Sequence, residues 1–189
     1  MQKTIHLIRH GQSLFNAHCE ATGEDPMHFD APLTELGHAQ AAAAREALAD
    51  TVFDLVLASP LTRAIQTAVG IFGGRVPILI EPLHREWQNS SCDIGRCAVD
   101  LAREFPALDF AGLEEPWWHV EGPVCDLGFP REPEVVLDDR VTRFKAMIAA
   151  RPEARIAVVG HGDFFRRLIG RHLMNCEIAL WELNSAEAA

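Results

Sequence analysis

Four short apolar runs, each followed by charged or polar residues, constrain this chain more than any other feature. They are Thr4-Ile5-His6-Leu7-Ile8, Asp54-Leu55-Val56-Leu57-Ala58, Pro77-Ile78-Leu79-Ile80 and Arg155-Ile156-Ala157-Val158-Val159. Runs of this length, rich in branched aliphatic residues, read as strands buried on both faces. Helical signals lie between them. Thr34 is a candidate N-cap for a helix over 34–49, whose Ala39–Arg45 stretch has high helix propensity. Ser59-Pro60 reads as a serine cap and first-turn proline for a helix ending near Phe72, before Gly73-Gly74. Val141, Phe144 and Ile148 recur at helical spacing, which predicts a helix over 134–150. A further helix follows Gly160-His161-Gly162 to about Leu173, and 177–183 reads as a last edge strand.

Strands alternating with helices imply an α/β three-layer sandwich with a mostly parallel central sheet. The 189 residues, 48% of them hydrophobic, suffice for one domain with a substantial core. Residues 81–131 show little periodicity beyond a helix near 98–104. They are expected to form an irregular insertion over the sheet rather than a second domain.

The formal net charge of −10 makes nucleic acid and anionic membrane poor partners. No apolar run reaches the 18 residues of a spanning helix. The apolar stretch after Met1-Gln2-Lys3 is too short for a signal peptide and lacks a small-residue cleavage site, so a cytoplasmic location is expected. Cys19, Cys92, Cys97, Cys125 and Cys176 are odd in number and irregularly spaced, as expected of reduced thiols. Neither they nor the histidines follow a zinc spacing, and no metal site is expected.

In parallel α/β sheets, ligands bind beyond the carboxyl ends of the strands. After the first strand come Arg9-His10-Gly11, and after the second Ser59-Pro60-Leu61-Thr62-Arg63. Arg85-Glu86 follow the third strand and His161-Gly162 the fourth. Two arginines, two histidines and one glutamate at one end of the sheet would make an anion site with its own proton donor. Phosphoryl transfer fits them, since it needs mainly positioning and charge stabilisation. Arg9 and Arg63 can hold equatorial oxygens with permanently charged forks. A neutral His10 can be the nucleophile, kept unprotonated by the arginines. A protonated His161 can bind the transferring group. Glu86 can protonate the departing alcohol and later take a proton from water. Asn16 can hold a phosphate oxygen or the His10 surroundings. No step needs a metal or another cofactor.

Arg9-His10-Gly11-Gln12-Ser13-Leu14-Phe15-Asn16 resembles the opening motif of the histidine phosphatase superfamily, which includes the cofactor-dependent phosphoglycerate mutases. Ala31-Pro32-Leu33-Thr34-Glu35-Leu36-Gly37 resembles a second family stretch. Ser59–Thr67 resembles a third, and Gly160-His161-Gly162 the late histidine motif, all in family order. The resemblance implies that His10 is phosphorylated and that Arg9, Arg63 and His161 bind phosphate. Glu86 falls at the proton donor, while Ser13, Asn16 and Gly162 fall at positions near the phosphate. The mutases typically carry Tyr-Gly near the donor; this chain has no tyrosine and reads Arg85-Glu86-Trp87-Gln88-Asn89. Acid phosphatases and phytases of the superfamily usually carry a late His-Asp pair, whereas here Gly162 separates His161 from Asp163. These departures indicate the compact branch.

The expected activity is metal-independent hydrolysis of a phosphomonoester, a small molecule or a phosphoprotein. Mutase-type transfer and a non-catalytic phosphate- or phosphoprotein-binding module are the alternatives. His6, His18, His28, His38, His84 and His172 read as ordinary packing or surface histidines, and Arg166-Arg167 as a solvated face. Trp117-Trp118-His119 reads as packing of the insertion onto the sheet, with a lid as the alternative. Arg96 and Arg131 are candidates for a second charged group on the substrate. No sequence signal bears on oligomeric state.

Overall fold

In a computed structural model describing residues 3–183, the four apolar runs lie side by side as expected. Strands β1 (Thr4–Arg9), β2 (Leu55–Ala58), β3 (Ile78–Ile80) and β4 (Arg155–Gly160) are parallel, and β5 (Ile178–Trp181) joins antiparallel to β1. The order across the sheet is β3-β2-β4-β1-β5. The central place of β4 agrees with its continuous apolar run, buried from Ile156 to Gly160.

Six helices complete the described chain: α1 (Leu14–Thr22), α2 (Glu35–Ala47), α3 (Thr62–Phe72), α4 (Ala98–Glu104), α5 (Glu134–Ala150) and α6 (Gly162–Ile169). Strand alternation sorts the core into two layers. Leu55, Leu57, Ile156 and Val158 meet Leu137, Val141 and Phe144 of α5 and Phe164, Phe165 and Leu168 of α6. Val56, Ala58, Ala157 and Val159 meet Ala41 and Ala44 of α2 and Ala64, Ala68 and Ile71 of α3. The result is the expected three-layer α/β sandwich.

Two local expectations need correction, and one helix, α1, is absent from the sequence reading: Ser13 and Asn16 close a reciprocal capping box at its start. Ser59-Pro60 do not open α3. The helix begins at Thr62, and buried Asp30, far away in sequence, accepts from the Thr62 amide at 2.7 Å in place of a local cap. α6 stops at Ile169 rather than near Leu173, because Gly170 takes a left-handed conformation (φ 72°) that ends it.

The insertion contains two short 3₁₀ turns, 82–84 and 91–93, besides α4. Its Leu101, Phe110, Leu113 and Trp117 form a satellite core on Leu61 and on Ile65 of α3. Trp117 is therefore a packing residue, with its indole N–H donated to the Arg96 carbonyl at 2.9 Å. All five cysteines are free thiols. No helix among the described residues is long and apolar enough to cross a membrane.

Candidate active site

The parallel ladder continues just past the strands and carries two functional segments with it. The His10 amide donates to the Gly160 carbonyl at 2.9 Å, and the Ser59 amide to the Val159 carbonyl at 3.1 Å. Main-chain bonds thus place His10, Ser59 and His161 beside one another, with the His10 and His161 rings 5.2 Å apart between centroids. Glycines allow a second close approach. A Cβ on Gly11 would fall 2.5 Å from the Gly37 carbonyl oxygen, and one on Gly37 would fall 2.1 Å from that of Gln12. The His10 loop therefore rests directly on the start of α2, which accounts for glycine at both positions.

His10 is buried, and its Nδ1 lies 2.7 Å from the Gly11 carbonyl oxygen. A carbonyl only accepts, so Nδ1 carries the hydrogen and the lone pair resides on Nε2. Arg63 Nε donates toward that nitrogen at 3.3 Å. Burial, then the Arg63 and Arg9 charges, hold the His10 pKa well below its ordinary value.

Arg63 is 2% exposed. Its Nη1 donates to the Cys92 carbonyl at 2.6 Å and its Nη2 to Asp93 at 2.9 Å. Although burial opposes its charge, Cys92, Asp93 and Glu86 raise its pKa. Asp93 also accepts from the Asn89 and Ser90 amides, which fastens the 89–93 turn under Arg63. Asp93 was not among the sequence candidates. The Ser90-x-x-Asp93 spacing of a capping box is the sequence signal that could have pointed to it.

Arg9 donates from Nη1 to the Leu173 carbonyl at 2.8 Å, while its buried Nε has no protein partner. His161 places Nε2 at 2.8 Å from Ser59 Oγ, and its buried Nδ1 is likewise unpartnered. The expectation that His161 is protonated does not hold here: burial, then Arg63 and His10, depress its pKa strongly. Gly162 gives Arg9 room, since a Cβ there would sit 3.3 Å from Arg9 Nε.

Glu86 meets the N-terminus of α6. Its carboxylate accepts from the Phe164 amide at 2.9 Å, the Asp163 amide at 3.1 Å and its neighbour Trp87 at 2.9 Å. Those amides favour the charged form. Burial, with Asp93 and Asp163 nearby, outweighs them and raises the pKa to about 7. Ser13 and Asn16 serve as the cap of α1, with Asn16 Oδ1 accepting from the Ser13 amide at 3.1 Å. This leaves the Asn16 amide NH₂ as the group able to donate to an anion.

Of the two arginines considered for a second charged group, Arg96 is bound to Asp30 at 2.7 Å and Glu104 at 2.8 Å. Its partners show it bracing the insertion against the start of α3. Arg131 is exposed. Arg166 and Arg167 lie on an exposed face, as expected, with Arg166 paired to Asp163 at 3.1 Å.

A buried nucleophile-capable histidine, two arginines, a second histidine and a carboxyl poised near neutrality are the elements of phosphoryl-transfer chemistry. Residues 5–189 match the family model of the histidine phosphatase superfamily (branch 1). A phosphoglycerate mutase-like protein of Arabidopsis thaliana is 30% identical, the match covering 93% of this chain and 82% of that one. A glucosyl-3-phosphoglycerate phosphatase of Mycolicibacterium vanbaalenii is 29% identical over 86% of this chain and 70% of its own. Among solved structures, the α-ribazole phosphatase from Shigella flexneri is similar with a TM-score of 0.65 and 26% identity, covering 96% of this chain and 91% of that one. The chain belongs to the histidine phosphatase superfamily, branch 1, and is a phosphatase.

Proposed function

We propose that this phosphatase hydrolyses phosphomonoesters through a phosphohistidine on Nε2 of His10, with Glu86 as proton donor. One observation carries the reading: buried His10 turns Nδ1 to the Gly11 carbonyl, which leaves the Nε2 lone pair beside the Arg63 N–H. The buried, unpartnered Arg9 Nε and His161 Nδ1 support it. Each lacks a partner that a phosphoryl oxygen would supply, and leaving a buried polar group unpaired costs about 1–3 kcal/mol.

In the first step, Nε2 attacks phosphorus as the bond to the leaving oxygen breaks, and Glu86 passes its proton to that oxygen. The Arg63 Nε–H turns from the lone pair to an equatorial oxygen, beside Arg9 and the Asn16 amide. His161 donates from Nδ1 while Ser59 donates its hydroxyl hydrogen to Nε2, so a neutral imidazole serves. In the second step, water attacks phosphorus and yields its proton to the Glu86 carboxylate. The P–N bond breaks, its electron pair returns to Nε2, and inorganic phosphate departs. Ser13 and Gly162 act on the phosphate indirectly, through the α1 cap and the space left for Arg9. The names of the phosphatase relatives favour a small organic phosphate as substrate.

The test is hydrolysis of p-nitrophenyl phosphate with excess chelator by the wild type and His10→Ala, with acid-labile, alkali-stable protein phosphate trapped by rapid quenching. Activity that survives chelation, vanishes in His10→Ala and accompanies trapped phosphate is the expected result. Equal activity in both proteins excludes His10 as nucleophile. Phosphate retained on His10, with turnover only after a bisphosphate primer, would instead establish the mutase reaction.

A further inference from the structure

The Glu86 carboxylate is held by α6, but its backbone leaves the sheet at β3 and crosses to α6 without a strand partner. Along that crossing, the carbonyls of Leu83, Arg85 and Glu86 are bonded by a single side chain from α5. Arg140 Nη1 donates to Leu83 at 2.8 Å and to Arg85 at 2.9 Å, and Nη2 donates to Glu86 at 3.3 Å. The Arg140 guanidinium also lies over the Phe164 ring, 5.5 Å from its centroid, and Phe164 gives one of the amides that hold the Glu86 carboxylate. Arg140 therefore touches both supports of Glu86, the main chain behind it and the helix start ahead of it.

A guanidinium so deeply buried needs a counter-charge. Glu132 supplies it in a fork, accepting from Arg140 Nε at 2.8 Å and Nη2 at 2.6 Å, with its side chain fully buried. The same carboxylate accepts from Arg85 at 2.7 Å and from the Gln88 amide at 3.3 Å, while the Glu132 carbonyl takes the Trp87 indole N–H at 2.7 Å. Residues on either side of Glu86 are thus referred to one buried ion cluster.

We infer that Arg140, braced by Glu132, is a positioning residue that sets the reach of Glu86 to the leaving oxygen. The inference rests on the reading of Glu86 as proton donor. Arg140 contributes no proton and no contact to the phosphoryl group. It fixes where the donor's backbone ends, and a shift of about 1 Å in a catalytic group can cost roughly 10²-fold.

Leaving-group dependence separates this role from simple bracing of the fold. p-Nitrophenolate departs without a proton, whereas benzyl alkoxide needs one. kcat/KM would be measured for p-nitrophenyl, phenyl and benzyl phosphate with the wild type, Arg140→Lys, Glu132→Gln and Glu86→Gln, alongside thermal melts. Lysine keeps the charge but cannot reproduce the planar fork. Arg140→Lys is expected to lose about 10²-fold on benzyl phosphate and less than about threefold on p-nitrophenyl phosphate, the pattern of Glu86→Gln in milder form. Equal losses on all three esters would overturn the inference and leave Arg140 a stabilising residue only. A flat response of Glu86→Gln would reject the donor reading itself, and with it the inference. Should Arg140→Lys fail to fold, Glu132→Gln decides by the same comparison: loss rising with leaving-group basicity supports positioning, and uniform loss refutes it.

Discussion

Glu86 is pulled in two directions by its surroundings. Three amides stabilise its charge, while burial and the nearby Asp93 and Asp163 oppose it, and the balance falls at about 7. A carboxyl at that value can both give and take a proton near neutral pH. As a donor it must be protonated, so kcat/KM should fall as pH rises through about 7. Glu86→Gln should lose roughly 10²- to 10⁴-fold on a poor leaving group and lose that alkaline limb as well. The wild-type to variant ratio across pH checks this, because ionisation of the substrate cancels in it. His10 behaves oppositely. Its strongly depressed pKa keeps Nε2 free well below its ordinary titration range, so no acid limb from this residue is expected near pH 6.5.

At the scale of elements, the site depends on how helices begin. α3 presents Arg63 at its second residue, yet its start has no cap of its own. Asp30 supplies one from across the fold, bonding the Thr62 amide at 2.7 Å and the Thr62 hydroxyl at 2.5 Å while pairing with Arg96. Asp30→Ala should remove the cap and one of the two carboxylates on Arg96, which keeps Glu104, lowering stability by about 1–2 kcal/mol in urea unfolding, with a parallel drop in kcat as Arg63 shifts. α2 depends instead on contact between backbones. Gly37→Ala would drive a methyl into the Gln12 carbonyl, 2.1 Å away. The His10 loop must then move, and activity should fall more steeply than the melting temperature. Measuring kcat and thermal unfolding on the same sample checks this.

At the scale of the molecule, the buried Gln88 side chain ties the segment around Glu86 to the far end of the irregular region, beyond residue 118. Gln88 donates to the His119 carbonyl at 2.7 Å and the Pro130 carbonyl at 2.8 Å, and accepts from the His119 amide at 3.0 Å. Replacing it with alanine leaves three main-chain groups without that partner, at about 1–3 kcal/mol for each one left buried. Gln88→Ala should lower the denaturant midpoint and open the 119–130 region to protease before the sheet, which limited proteolysis would reveal. The chain's net charge of −10 lends the same arrangement an electrostatic meaning. Arg9 and Arg63 form a local cationic spot within an acidic protein, and on the proposed mechanism phosphate affinity would arise there rather than from a long-range field.

Residue order alone determined the sheet, most of the helices and the side chains at the strand ends. Strand burial, alternation with helices and the carboxyl-end rule are local patterns, and they placed Arg9, His10, Arg63, Glu86 and His161 at one end. It did not reveal α1, the true start of α3, Asp93 under Arg63, or the Arg140–Glu132 cluster behind Glu86. Except for α1, whose Ser13–Asn16 capping box is local, each of these joins residues far apart in the chain. Asp30 caps a helix beginning 32 positions later, and Arg140 reaches carbonyls 54 to 57 positions before it. Periodicity and motif spacing register only near neighbours along the chain. The partners of a buried charge are chosen by packing in three dimensions, where desolvation makes every unpaired group costly. Only the tertiary structure could decide which carboxylate meets which arginine, and thereby the protonation states of His10, His161 and Glu86.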